Sequence, residues 1–124
     1  MIFVKHLFDV PQAQDGERIW IDSIGLTRDL IEWCQIAHVM TNLGPSKETA
    51  AWFEEHPAGF DFFEAEYLEE LRSSPSIISM RGLAAASTNK SFTLVHHGHH
   101  PVENSATVLG TFLLDLAARV RLGG

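Results

Sequence analysis

Residues 91–97 read Ser-Phe-Thr-Leu-Val-His-His, and they decide the fold class because they form the clearest predicted strand of the chain. β-Branched and aromatic residues fill this stretch, and Gly98 ends it. Beyond it, apolar residues recur at helical spacing and predict a final helix from residue 104 or 105 to Leu122, closed by Gly123. A strand that leads into an amphipathic helix is typical of an α/β domain.

The rest of the chain repeats this alternation of strand and helix. Further strands are predicted at residues 2–8 and 17–22, and further helices at residues 47–55 and 60–71 and from Ser74-Pro75 to residue 84. Residues 28–41 carry signals for both helix and strand, and their structure stays open. Strands separated by helices imply a small, mostly parallel sheet. We therefore predict a single three-layer α/β domain over residues 1–124, with helices flanking the sheet.

Composition excludes several classes of function. The 9 Lys and Arg residues against 16 Asp and Glu residues give a formal charge of −7, which disfavours binding to nucleic acid and to an anionic bilayer. No stretch approaches the ~20 apolar residues that a membrane span needs. The N-terminal residues lack the pattern of a secretory leader, and Cys34 is the only cysteine. These features predict a cytoplasmic protein without an intrachain disulfide, in which Cys34 fills the core.

Three segments together resemble a known family. They are Arg18-Ile19-Trp20-Ile21-Asp22; then Gly44-Pro45-Ser46 with Trp52-Phe53, His56-Pro57, Phe63, Tyr67 and Glu70-Leu71; and finally Thr93-Leu94-Val95 with Asn104, Ala106, Val108-Leu109 and Leu113. In order and spacing, and over most of the chain, these segments are similar to the small branch of domain-of-unknown-function family 488, a group of uncharacterised bacterial proteins. The resemblance implies an α/β fold. It implies no particular reaction, because the family has no settled activity.

The chain departs from the family pattern at its polar positions. Family members follow the acidic residue of the second strand with arginine and a leucine-tryptophan-proline-arginine-glycine stretch, whereas residues 23–28 here read Ser-Ile-Gly-Leu-Thr-Arg. They also place aspartate after the late strand and histidine beside the asparagine. Here residues 96–100 read His-His-Gly-His-His, and Glu103 precedes Asn104. Most polar positions of the family's presumed site are therefore altered in this chain.

A ligand site is expected where the strands end. Ligands of open α/β sheets bind beyond the carboxyl ends of the strands, and the last helix also points backbone N–H groups toward this place. Glu103 opposes an anion there. We predict a site for a small polar or anionic, nucleotide-like ligand, formed by Asp22, Arg28, His96, His97, His99 and Asn104. Since neighbouring residues of a strand point to opposite faces, His96 and His97 should not reach the same ligand.

Other interpretations of the histidine cluster remain open. His97, His99 and His100 could hold zinc or nickel together with Asp22, which would make the protein a metal-dependent hydrolase using residues 96–100. The cluster could also be an exposed polar loop. A third hypothesis is a homodimeric interaction module that uses the apolar stripe of the last helix. The sequence identifies no cofactor and leaves open whether the protein is an enzyme.

Overall fold

The computed structural model describes residues 1–121 and shows an α/β fold, as predicted. Its strands are β1 (Ile2–His6), β2 (Glu17–Trp20), β3 (Ile36–Val39) and β4 (Phe92–His96). Its α-helices are α1 (Arg28–Trp33), α2 (Lys47–Glu55), α3 (Phe60–Arg72), α4 (Ile77–Ala86) and α5 (Ser105–Arg121). The strands form one sheet in the order β1-β4-β2-β3, and every strand pair within the described residues is parallel.

The pairing of β2 with β4 positions the candidate site. Glu17 lies opposite Phe92 and Trp20 lies opposite Val95, so the two strands run side by side in register. Because they are parallel, their carboxyl ends reach the same edge of the sheet. The residues that follow Trp20 and His96 therefore emerge next to each other, although more than 70 residues separate them in sequence.

Helices cover both faces of the sheet to different extents. Side chains of α2 to α5 pack on one face around a core that includes Phe63, Tyr67 and Leu94. Short helix α1 packs on the other face, where the buried residues include Trp20 and Cys34. Cys34 thus fills the core, as predicted. Each large apolar side chain buried in this way contributes about 1.5–3 kcal/mol to stability.

Residues 28–41 contain both of the elements that their sequence indicates. Thr27 begins α1, because its side chain accepts a hydrogen bond from the Leu30 N–H at 3.3 Å. Gln35 then adopts a positive φ of 53°, which ends the helical turn and redirects the chain into β3. A six-residue helix and a four-residue strand share this stretch, so a single periodicity could not describe it.

One helix begins at its predicted residue, Lys47, and another begins later than predicted. Ser46 caps α2, and its Oγ accepts a hydrogen bond from the Thr49 N–H at 3.2 Å. The predicted start of α4 at Ser74-Pro75 is wrong, because the helix begins at Ile77. The Ser74 hydroxyl accepts from the Ser76 N–H at 3.0 Å, and this local bond forms a turn before the helix.

The apolar stripe of α5 packs against the hydrophobic core of the same chain. Val108, Leu109 and Leu113 are each at most 1% exposed and belong to the main core. These three residues are therefore not available to the homodimer interface that the sequence allowed. The predicted end of α5 at Leu122 and Gly123 lies outside the described residues. Within residues 1–121, none of the helices has the length and apolar character needed to cross a membrane.

Candidate functional site

Asp22 lies at the centre of a polar cluster at the carboxyl edge of the sheet. It follows β2, is only 4% exposed, and accepts hydrogen bonds on both carboxylate oxygens. Oδ2 accepts from the His97 backbone N–H at 2.9 Å and contacts the His97 Nδ1 at 2.5 Å. Oδ1 accepts from the Ser105 hydroxyl at 2.5 Å. Asp22 therefore joins the ends of β2 and β4 to the start of α5, which is the proximity that the strand order predicts.

The charges in this cluster stabilise one another. Burial by itself raises the pKa of Asp22, but the hydrogen bonds from His97 and Ser105 outweigh this effect and hold the pKa below its ordinary value. The hydrogen bond to Asp22 raises the pKa of His97, although partial burial of the ring opposes the shift. Asp22 thus remains ionised and keeps a proton on His97 Nδ1. Nε2 is left to exchange hydrogen bonds with another group, as an acceptor when the ring is neutral and as a donor when it is charged.

A cleft of about 720 Å³ opens beside this cluster. One wall is formed by loop residues that follow β2 and β4 and by the start of α5, and it includes Asp22, His97 and Ser105. The opposite wall comes from α2 and its neighbours and includes Pro45, Phe53 and Phe63, with Lys47 and Glu54 among its charged groups. A cleft of this size, mostly apolar but with a few converging polar groups, is typical of a small-molecule site.

The structure divides the predicted site residues into two groups. Asp22, His97, His99 and Asn104 line the cleft. His96 and Arg28 do not belong to its lining. Arg28 is the first residue of α1 and is exposed, and Asp22 bonds to His97 and Ser105 instead. Arg28, which the sequence analysis included in the site, is therefore not a partner of Asp22.

His96 is turned away from the cleft because it is the last residue of β4 and alternates with His97. Its side chain is buried, with its ring 5.5 Å from that of His6 in an edge-on arrangement. Its Nδ1 accepts a hydrogen bond from the Gly98 N–H at 3.0 Å. Burial lowers the pKa of His96 to about 4, so this imidazole stays neutral at ordinary pH. In this arrangement the two side chains lie on opposite faces of the sheet, as expected from the alternation of His96 and His97.

Asn104 fixes the loop that carries the other histidines. The Asn104 side chain caps α5, because Oδ1 accepts from the Thr107 N–H at 2.9 Å, and Nδ2 donates to the His100 carbonyl at 2.9 Å. The His100 Nδ1 accepts from the Glu103 N–H at 2.9 Å. These bonds hold His99 and His100 at the rim of the cleft. Asn104 therefore positions the loop as well as lining the site.

The described residues offer no assembled metal site. Across residues 1–121, no group of three His, Cys, Asp or Glu side chains converges in a way that could hold a metal ion. Asp22 and His97 are already bonded to each other, and His100 Nδ1 is occupied by backbone donors. The metal-dependent hydrolase hypothesis, built on His97, His99 and His100, therefore gains no support from the geometry.

Three residues of the candidate site, Ser105, Glu54 and Lys47, were not among the predicted site residues. Ser105 completes the bonds of Asp22, and Glu54 and Lys47 bring charges from α2 to the cleft. The position of Ser105, at the start of the helix that follows β4, was the signal that could have identified it. Glu54 and Lys47 gave no comparable signal, because charged residues on a surface helix are usually solvated.

Comparison with known proteins places the chain in a family. A family model described as the inactive DUF488-N3 subclade matches residues 1–122. The chain belongs to this family. An uncharacterized protein of Mycobacterium tuberculosis and one of Mycobacterium bovis are each 29% identical to it over 116 residues, covering 89% of this chain and 91% of the relative. No solved structure matches the chain significantly. The resemblance noted in the sequence is confirmed.

Proposed function

We propose that this DUF488-N3 member is a cytoplasmic protein that binds a small polar, nucleotide-like ligand in the cleft beside Asp22 and His97. The observation that carries the proposal is the fixed orientation of His97. Asp22 holds both the backbone N–H and the ring Nδ1 of this residue, yet the His97 side chain remains 40% exposed beside a cleft of about 720 Å³. A buried carboxylate that orients a histidine toward a cleft favours recognition of a ligand group at Nε2.

Binding without turnover is the role that the site supports best. The subclade is described as inactive, and the polar residues at the family's presumed site are largely replaced in this chain. Ser105 donates its hydroxyl to Asp22 rather than to His97, so these three residues are not arranged as a nucleophile, its base and the base's orienting group. We therefore assign His97 to ligand recognition and Asp22 and Ser105 to its positioning.

A thermal-shift screen tests this proposal. The purified protein is screened against nucleosides, nucleotides, phosphorylated metabolites and neutral polar heterocycles. A ligand at about 100 times its dissociation constant should stabilise the folded state by about 2.7 kcal/mol. His97→Ala should remove the stabilisation, because it deletes the group that faces the ligand.

The matched control is His38→Ala. His38 is an exposed histidine whose Nε2 contacts Glu17 at 2.7 Å, and it lies outside the cleft lining. This variant should retain every ligand-induced shift. A ligand whose stabilisation survives both His97→Ala and Asp22→Ala would show that binding occurs elsewhere. If no compound in the library stabilises the protein, that result would contradict the proposed function itself.

A further inference from the structure

The charged groups of the cleft bear on which ligands it can accept. We infer that the cleft selects neutral or positively charged ligands with a flat apolar part, and that Glu54 and Glu103 are the residues that set this selectivity. The inference rests on the proposed ligand-binding function. It narrows the range of nucleotide-like ligands, because it excludes those that carry phosphate groups.

The position that a phosphate would prefer is already occupied by the protein. Phosphates bind at helix N-termini, where backbone N–H groups and the helix dipole favour negative charge. At the start of α5, however, the carboxylate of Asp22 accepts the Ser105 hydroxyl at 2.5 Å. The Thr107 N–H is capped by Asn104 at 2.9 Å. A ligand phosphate would have to approach a buried, ionised carboxylate, so this end of the cleft repels it.

The remaining charged groups of the cleft are unbalanced in the same direction. Glu54 and Glu103 both line it, whereas Lys47 is the only Lys or Arg among the lining residues that the structure describes. The negative charge of Glu54 also contributes to the raised pKa of His97, which shows that its field reaches the His97 ring. The formal charge of the whole chain, −7, has the same sign.

The opposite wall favours a flat apolar group on the ligand. The rings of Phe53 and Phe63 stack with centroids 4.3 Å apart at an angle of 14°, and both residues line the cleft. Ala50, Pro45 and Pro57 extend this apolar surface. A ring can lie against this wall while its polar edge faces His97. Planar apolar area and one hydrogen-bonding edge are therefore the two features that the cleft requires.

Three ligands that share one ring test the inference. Benzamidine is positively charged, benzamide is neutral and benzoate is negatively charged, and each is titrated at millimolar concentration, pH 8 and constant ionic strength. Backbone amide shifts of Gly98 and Ser105 report the binding. A unit charge about 7 Å away in water changes an affinity by about threefold, so benzamidine should bind about tenfold more tightly than benzoate, with benzamide between them. Benzoate binding as tightly as benzamidine, or binding by none of the three, would overturn the inference.

Charge removal identifies the residues responsible. Glu54→Gln and Glu103→Gln should each reduce the preference for benzamidine over benzoate by about sevenfold, because the two ligands differ by two unit charges. Glu55→Gln is the matched control, since Glu55 is exposed on the same helix but lies outside the cleft lining. An unchanged preference in the Glu54 and Glu103 variants would contradict their role. The thermal-shift screen could instead find anionic ligands whose stabilising effect is lost in His97→Ala. That result would contradict the inferred charge selectivity but would support the proposed binding function.

Discussion

Two buried carboxylates anchor different parts of this molecule, and their partners explain why only one of them is a candidate for function. Asp15 is 1% exposed and Asp22 is 4% exposed. Asp15 lies between Arg18, at 3.0 Å from Oδ2, and Lys5, at 2.6 Å from Oδ1. We call this group the closed cluster. Asp22 with His97 and Ser105 forms the open cluster, which faces the cleft.

The clusters differ in whether a partner can change its charge. Burial would raise the pKa of Asp15, but Lys5 and the other donors around it hold the pKa below its ordinary value. The partners of Asp15 are a lysine and an arginine, residue types that do not exchange protons near neutral pH, so the closed cluster contains no group suited to a change of charge there. In the open cluster the cationic partner is an imidazole, which gains and loses a proton near neutral pH. Only the open cluster can therefore couple a proton to a ligand, and the closed cluster serves the fold.

The largest effect is expected from Arg18→Met in the closed cluster. Arg18 also donates to the Cys34 carbonyl at 2.8 Å and to the Leu7 carbonyl at 3.3 Å, so it joins three segments of chain. Its removal leaves Asp15 buried without this partner and should lower the free energy of unfolding by about 3–5 kcal/mol, measured by urea denaturation. Arg81→Met, on the exposed surface of α4, is the control and should change stability by less than about 0.5 kcal/mol. A loss below about 1 kcal/mol in the Arg18 variant would mean that the closed cluster is not a structural support.

The next effect concerns acid stability and His96, which lies beside the open cluster. Its folded pKa of about 4 is below the value of about 6.5 for an unfolded histidine, so between these pH values the unfolded state binds the proton and the folded state does not. Stability should fall by about 3 kcal/mol as pH decreases through this window. The raised pKa of His97 does not contribute in the same window, because its stabilisation is already fully present below the unfolded value.

His96→Asn isolates this contribution. Asparagine keeps a hydrogen-bond acceptor for the Gly98 N–H but has no proton to gain, so the decrease in unfolding free energy between pH 6.5 and 4 should become shallower. His38→Asn, at an exposed position, should retain the decrease. Urea denaturation of the three proteins across this range gives the comparison. Equal slopes in wild type and His96→Asn would show that another group is responsible.

The sequence predicts those parts of the two clusters that depend on local patterns, but it does not predict contacts between residues that are far apart along the chain. The late strand, the start of α2 at Lys47 and the position of Asp22 beside the end of β4 follow from local patterns and from the rules of parallel sheets. The closed cluster was not predicted, because Lys5, Asp15 and Arg18 meet only after the loop between β1 and β2 has folded against the sheet.

The same reasoning explains the errors at the site. The predicted site included Arg28 together with Asp22, but the place of Arg28 at the start of α1 leaves it exposed and outside the cleft lining. Ser105 bonds to Asp22 instead, from 83 residues away. Glu54 reaches the cleft only because α2 packs over it, and no local pattern encodes that packing.

Within the open cluster, Asp22→Asn should have a smaller effect than the loss of Arg18. The variant loses charge-assisted hydrogen bonds, which should cost about 2 kcal/mol in the free energy of unfolding above about pH 5. It also removes the main cause of the raised pKa of His97, so that pKa should fall, as measured by an NMR titration of the imidazole protons. Asp29→Asn, on the exposed surface of α1, should change neither quantity. An unchanged His97 titration would show that the Asp22 contact does not exist in solution.

The smallest effect, expected from Ser105→Ala, separates positioning from recognition. The Ser105 hydroxyl donates to Asp22 Oδ1, and its loss should lower stability by about 1 kcal/mol and raise the pKa of Asp22, because one hydrogen bond that favours the ionised form is gone. A lowered carboxyl pKa gives stability that is lost as pH falls from the unfolded pKa to the folded pKa. Because the variant brings these two values closer together, it should lose less stability on acidification below about pH 4 than wild type does. Ser79→Ala, exposed on α4, is the control for removing a serine hydroxyl from a helix. His97 retains both of its bonds to Asp22 in the Ser105 variant, so ligand binding that survives in it but not in His97→Ala would mark His97 as the residue that contacts the ligand.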